Sequence, residues 1–455
     1  MDTDKIISFK GNWWLPSEKQ KEIGELTIIE NKEIRLKLNY FLGIQKGIQI
    51  NGIRNFKIIL GETTDYEKIT LLNCWAADFL GKHFNIEYVF VGEHFNSLDD
   101  IKFKSIEFEY TYLNEWAYPF WYEQTLYQNK VKTTYIKKEP IKLFLNIPHN
   151  KIDLLFSFNL IDSLDNLSKK REAVLLAKSE KQRTFSEWWN VVVTIRNFLI
   201  LGMFKPIYSN ILEAETEKGE KIDIYRVINV NVNLSNLRFY NMLFTLEDIG
   251  GNMEEYLNNF FKKSNKLKDV TTGLFIVLNN PEMGLENQLI QLSGLTEKYF
   301  RDNKNSLVIK RNIYDELRIK IIDLIKNQID PDPDLPQCFI ENNVVNKYGY
   351  QKNFRTILRE LVNNVVKIFQ LVSGFNKDYC NKVINTRNYF IHKDEQLKDK
   401  AEKGEMLYDI IRFLEMVLVI NILKDIGFDD NIVKKVFDRF DEFNSIINRI
   451  TRTIQ

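Results

Sequence analysis

The hydrophobic period of this chain changes once along its length. Up to about residue 180, apolar side chains recur at every second position, the spacing of a strand with one buried face. From roughly Leu246 they recur every three or four residues, the spacing of a helix with one apolar stripe. That segregation points to an α+β fold. A β-rich, sandwich-like N-terminal domain is expected over residues 1–245, with one internal helix near 186–201, followed by an all-α helical bundle over 246–455. A chain of 455 residues has ample length for more than one buried core.

Within the first part, Glu25–Ile29 and Glu33–Asn39 flank Glu30-Asn31-Lys32 and read as a hairpin with Ile34, Leu36 and Leu38 on one face. Phe56–Leu60 and Lys68–Asn73 bracket a polar turn at Gly61–Glu67, and Phe84–Val91 alternates through Ile86, Tyr88 and Phe90. The clearest strand is Lys104–Tyr112, where Ile106, Phe108, Tyr110 and Tyr112 alternate with Ser105, Glu107, Glu109 and Thr111. Further strands are expected at Lys132–Lys137, Ile141–Leu145, Lys151–Asn159 and Glu172–Lys178. A helix over Ser186–Leu201 and short strands at Ile207–Glu213 and Asp223–Val227 complete this part.

In the second part the spacing predicts helices over Met253–Lys263, Leu285–Arg301, Asn312–Lys326, Phe354–Val372, Asn376–Phe390, Met406–Asp425 and Asn431–Ile450. The last carries Ile432, Val436, Phe437, Phe440, Phe443, Ile447 and Ile450 as one stripe. Met406–Asp425 has only a narrow polar edge, which marks it as the central helix of the bundle. Asp330–Gln337, rich in proline, is expected as a loop between helices.

Charge and cysteine usage bound the function. Sixty-three Lys and Arg against 62 Asp and Glu exclude a bulk polycation that coats nucleic acid or an anionic membrane. The most apolar runs, Val191–Phe204 and Ile410–Ile426, are interrupted by Arg196 and by Arg412, Glu415, Lys424 and Asp425, so no membrane-spanning segment is expected. The opening MDTDKIISFKGNWW lacks the pattern of a secretory signal. Cys74, Cys338 and Cys380 are scattered and none pairs at a metal-ligand spacing, which predicts free thiols in a reducing cytoplasm, with no metal and no cofactor.

One short segment of the helical part combines residues suited to phosphodiester chemistry: Thr386-Arg387-Asn388-Tyr389-Phe390-Ile391-His392. Histidine exchanges a proton near neutral pH, and arginine presents a planar fork that matches two phosphate oxygens. RNA supplies its own nucleophile, the 2′-OH, so its cleavage needs no metal if a base takes that proton and a cation stabilises the phosphorane. Five residues of helix turn through about 140°, so Arg387 and His392 do not share a face. The motif is therefore expected to run over a helix end, with His392 in the last turn.

An arginine followed by a polar residue, with a histidine five positions after the arginine, resembles the signature of HEPN ribonucleases. The run VINTRNYFIHKD with the later LKDIGF is similar to the Apea-like branch of that superfamily. The segments GNWWLPSEK…IGELTI, IILGET…KITLLNCW and FKSIEFEYTYLNEWA resemble the β-rich domain that accompanies it in antiphage defence proteins of the ApeA type. The resemblance implies a metal-independent endoribonuclease of an abortive-infection system. Arg387 and His392 would be catalytic, Asn388 would orient the phosphate or the histidine, and the products would be a 2′,3′-cyclic phosphate and a 5′-hydroxyl. It also implies an RNA substrate, a homodimer whose paired motifs form one cleft, and an N-terminal domain that senses a phage-derived trigger.

Two other readings stay open from the residues. One is a ligand-binding β-domain carried on a helical bundle that only dimerises it. The other is a carbohydrate-active enzyme centred on Glu115, Glu123 or Glu187, which stand among Trp116, Tyr118, Trp121, Trp188 and Trp189. Arg196-Asn197 imitates the motif without a following histidine, and His83, His94 and His149 lack a second ligand at metal spacing. Any RNA groove must come from local placement, for which Lys393, Lys398, Lys400 and Lys403 after the motif are candidates, although among acidic residues they read first as a solvated charged loop.

Overall fold

The computed structural model describes residues 6–29, 32–42, 55–78, 81–127, 130–135, 139–147, 150–161, 170–227, 237–280, 282–328, 345–372 and 374–454. The expected loop at Asp330–Gln337, together with Cys338 and His149, lies outside them. The chain divides into two compact units, Met1–Lys262 and Lys263–Gln455.

The first unit is built on β1 (Ile6–Trp14), β2 (Glu22–Ile29), β3 (Glu33–Leu38), β4 (Asn55–Thr63), β5 (Lys68–Ala76), β6 (His83–Val91) and β7 (Lys102–Tyr110). After these come α1 (Leu113–Trp121), β8 (Tyr122–Tyr127), β9 (Lys130–Tyr135), β10 (Ile141–Ile147), β11 (Asn150–Ile161), β12 (Lys170–Thr184), α2 (Phe185–Met203), β13 (Ser209–Glu215) and β14 (Lys221–Arg226). The hydrogen-bonded order β6-β3-β2-β1-β4-β5 returns to β6, which closes these strands into a barrel. β6 serves two neighbours on its other edge: β3 pairs with His83–Asn85 and β14 with Tyr88–Val91. From β14 the sheet continues open through β13, β7, β12 and β11 to β10. Every pairing is antiparallel, but only some join consecutive strands through a turn: β1–β4, β3–β6, β6–β14, β7–β12 and β7–β13 bring together strands distant in the chain.

Alternation fills the barrel. Ile34, Leu36 and Leu38 of β3 are buried while Arg35 and Lys37 are exposed, and Leu26, Ile59, Ile69, Leu71, Phe84 and Ile86 join them inside. Trp13 is fully buried there, its ring lying over Gly61, where a Cβ would fall 2.2 Å from the indole. Gly11 is required for a related reason, since a Cβ on it would stand 2.1 Å from the Glu62 carbonyl oxygen on β4. Helix α2 packs on the open sheet, where Trp188 donates to the Phe103 carbonyl at 3.0 Å and Tyr110 donates to the Val192 carbonyl at 2.6 Å. The free edge of β10 is covered by side chains of α3 (Met253–Asn279). The Asn258 carboxamide pairs with both the Phe144 carbonyl and the Asn146 amide, and Glu254 accepts from the Phe144 amide.

The division between units falls within α3, which runs well past the expected Met253–Lys263 because Leu267, Val270, Leu274 and Val277 continue its apolar stripe. The second unit then holds α4 (Leu285–Asn303), α5 (Arg311–Gln328), α6 (Phe354–Phe369), α7 (Phe375–His392), α8 (Gly404–Asp425), α9 (Asp430–Arg439) and α10 (Asp441–Ile454). Helix α8 is buried on nearly every side and touches α4, α6, α7, α9 and α10, the central position expected of it. Three of its buried polar side chains make hydrogen bonds: Asp409 accepts from Nε and Nη2 of Arg449, Glu415 accepts from Arg412 through Oε2, and Asn421 bonds to Asn364 and to the Leu361 and Val417 carbonyls. The stripe expected to be one helix over Asn431–Ile450 is two, broken at Phe440, and the break shifts the buried set of the last helix to Phe443, Ile446 and Ile450. Among the described residues no helix is long and apolar enough to cross a membrane.

Candidate active site

Helix α7 carries the Arg-x4-His segment, and its inner face explains why it is fixed. Phe375, Tyr379, Val383 and Thr386 are buried against the bundle. Tyr379 donates to the Ile410 carbonyl of α8 at 2.8 Å, and the rings of Phe375 and Tyr379 meet Phe413 edge-on at 5.4 and 4.7 Å. Thr386 donates to the Lys382 carbonyl at 2.7 Å and accepts from the Glu402 amide at 2.9 Å, which ties the helix to the segment after it. An ion pair of Lys382 with Glu402 closes the same junction.

The helix stops at His392. Lys393 adopts the left-handed conformation (φ 53°) and its amide donates to the Tyr389 carbonyl at 2.8 Å, so the chain turns away immediately after the histidine. The Lys393 ammonium lies 5.5 Å from the ring centres of both Tyr389 and Phe390. His392 is exposed, and Asn388, one turn earlier on the same face, is half-buried. Arg387 points elsewhere: its guanidinium lies over the ring of Phe354, at the start of α6, at 5.0 Å. The Arg387 Nε is buried and has no hydrogen-bond partner among the described residues. The histidine thus ends the helix as expected, with Arg387 about 140° around the axis from it.

Several of the residues singled out elsewhere, namely Trp116, Trp188, Glu187, His83 and His94, have structural employment. Trp116 and Trp188 are fully buried, and each indole donates to a carbonyl, of Phe244 and Phe103 respectively. Glu187 accepts from the Thr184 amide and hydroxyl in the capping box that starts α2, which occupies the carboxylate that a sugar-cleaving reading would need free. His83 pairs with Asp78, and His94 lies 2.7 Å from the Gly61 carbonyl with its ring edge-on to Trp14. The side chains of Tyr118, Trp121 and Glu123 lie outside the described residues. Among the described residues no three His, Cys, Asp or Glu side chains are grouped to hold a metal.

Sequence reasoning about the motif missed its surroundings. Arg355 of α6 donates to the Asn381 carboxamide oxygen of α7 at 2.7 Å. Asn381, Asn385, Asn388 and His392 fall on one face of α7, at the i, i+4, i+7, i+11 spacing that a helical wheel shows. Phe354 and Arg355 carry no such signal, because their contacts with the motif helix are made through space.

Comparison with known families agrees with this architecture. Residues 8–260 match the family described as ApeA N-terminal domain 1, and residues 290–432, which contain the motif, match the Apea-like HEPN family. No curated protein and no solved structure matches the chain.

Proposed function

The chain belongs to the antiphage-defence family that joins an ApeA N-terminal domain to an Apea-like HEPN domain, and on that premise we propose that it is a metal-independent endoribonuclease acting through Arg387, Asn388 and His392. HEPN domains of this kind are in general ribonucleases. The observation that carries the finer reading is the placement of His392: exposed, last in its helix, with Asn388 on the same face.

In this reading the imidazole of His392 removes the 2′-OH proton and the oxygen attacks the adjacent phosphorus. Arg387 neutralises the phosphorane with its planar fork, and Asn388 orients the phosphate or the histidine. Departure of the 5′-oxygen leaves a 2′,3′-cyclic phosphate and a 5′-hydroxyl. Because one helix directs Arg387 and His392 to different sides, the working cleft is assembled from the motifs of two copies of the chain. The N-terminal unit acts as the sensor of a phage-derived trigger.

The test pairs RNA cleavage in EDTA with phage challenge of cells carrying wild type, Arg387→Ala or His392→Ala. Cleavage and protection by wild type, with both lost at least a hundredfold in folded variants, is the expected result. Variants that cut and protect as wild type does would show the motif to be structural.

A further inference from the structure

Upstream of Asn388 on the same face of α7 lies an open recess of about 380 Å³ that the proposed chemistry does not use. Its floor is Asp378, Asn381 and Asn385, and its far wall is Asp399, Lys400 and Glu402 from the segment after the helix. Two features show that the recess is a built feature of the fold. The Arg355 guanidinium holds the Asn381 carboxamide oxygen from one side, and the Thr386 hydroxyl holds the Glu402 amide from the other. The Asn385 carboxamide and the Asp378 and Asp399 carboxylates have no side-chain hydrogen bond among the described residues, so acceptors and donors remain open along the floor and wall.

The charge balance decides what such a recess takes. Lys382 and Glu402 neutralise each other, which leaves Asp378 and Asp399 against Lys400 and, at the edge, the Arg355 that holds Asn381, so the recess is near neutral. Without net positive charge it offers a phosphate little attraction. A nucleobase with an exocyclic amino group fits: carboxylates accept from such amines, and a carboxamide offers the paired donor and acceptor that an adenine or cytosine edge presents. From Asn385 to His392 is about 10 Å along the helix, the reach of one or two nucleotides from the scissile position.

We infer that the recess between α7 and the segment Asp399–Glu402 is a base-recognition subsite, in which Asn381 and Asn385 read an adenine or cytosine flanking the phosphodiester that His392 attacks. This inference rests on the ribonuclease reading, and the test separates the two. The full chain carrying His392→Ala, unable to cut, is titrated with fluorescent single-stranded oligoribonucleotides, one all uracil and others with adenine or cytosine placed centrally. The expected result is roughly tenfold tighter binding of the amino-bearing bases, falling to within about twofold when Asn385→Ala or Asn381→Ala is added. Asp399→Asn serves as a second variant on the opposite wall and reduces the same ratio. Equal binding of all oligonucleotides, or a ratio that survives both asparagine substitutions, overturns the subsite. If wild type cuts RNA and His392→Ala does not, that outcome leaves the ribonuclease reading standing. If His392→Ala cuts RNA as wild type does, the ribonuclease reading fails whatever the binding ratio shows.

Discussion

Arg387 is held by an aromatic ring, and that contact sets what its replacement does. The guanidinium lies 5.0 Å from the centre of the Phe354 ring, a cation–π contact that helps fix its direction. A lysine keeps the charge but loses both the stacking and the two-point match to phosphate oxygens. Arg387→Lys is therefore expected to behave like Arg387→Ala within about tenfold in cleavage rate, while leaving the melting temperature unchanged. Near-wild-type cleavage by Arg387→Lys would mean that only charge matters there. Cys380, on the same helix, illustrates the opposite environment. Burial pushes its thiol up to about 12, with Arg359 and Arg355 pulling only partly the other way. The native chain thus keeps this proton where the unfolded chain releases it, so the thiol contribution to stability is full below about pH 9 and declines as pH rises toward 12. Cys74 is buried as well, and burial raises its thiol too. In a Cys338→Ser chain, Ellman's reagent at pH 8 should label neither remaining cysteine until denaturant is added. Rapid labelling of the native chain would contradict both burials.

Helix α7 shows how an element can be correct in sequence and incomplete in meaning. Its place and inner stripe follow from spacing, which ended it at Phe390, and the observed end at His392 agrees with the motif argument that put the histidine near the last turn. The Thr386 hydroxyl bridge to Glu402 does not follow from spacing, since sixteen residues and a turn separate the partners. Thr386→Ala should leave the Glu402 amide without its acceptor and cost about 1–3 kcal/mol, a fall of roughly 3–8 °C in Tm, with faster hydrogen exchange at Glu402. Thr386→Ser keeps the hydroxyl and should behave as wild type; equal loss in both variants would assign the effect to packing of the methyl group. The strands follow the same rule. Ile34, Leu36 and Leu38 point inward as their alternation required, yet nothing in a strand's own period names its neighbour. Closure of β5 onto β6, and the sharing of one edge of β6 between β3 and β14, are facts of pairing that alternation leaves open. β1 and α1 escaped the reading of the chain although their signals are local: Ile7, Phe9, Gly11 and Trp13 alternate with the exposed Ser8, Lys10 and Asn12, and Leu113, Trp116 and Ala117 stand at helical spacing.

At the scale of the whole molecule the question is whether one chain is enough. Arg387 and His392 leave α7 about 140° apart, and Arg387 is occupied on the side of α6 while His392 projects from the exposed end. The proposed reading places one phosphodiester between two chains related by a twofold axis, each offering its histidine to the arginine of the other. The test is complementation. Arg387→Ala and His392→Ala chains, each inactive alone, are co-expressed so that mixed dimers form. A mixed dimer retains one intact pair, the histidine of one chain with the arginine of the other, and lacks the second pair entirely. With random assortment half the dimers are mixed and each keeps half its pairs, so activity should recover to about a quarter of wild type. If both groups act within one chain, every dimer in the mixture is defective at both sites and the co-expressed sample stays as inactive as either parent. The double substitution on one chain, co-expressed with wild type, provides the contrast: in the shared arrangement the mixed dimer has no intact pair, so the doubly substituted chain should suppress its wild-type partner, whereas independent chains would keep half the activity.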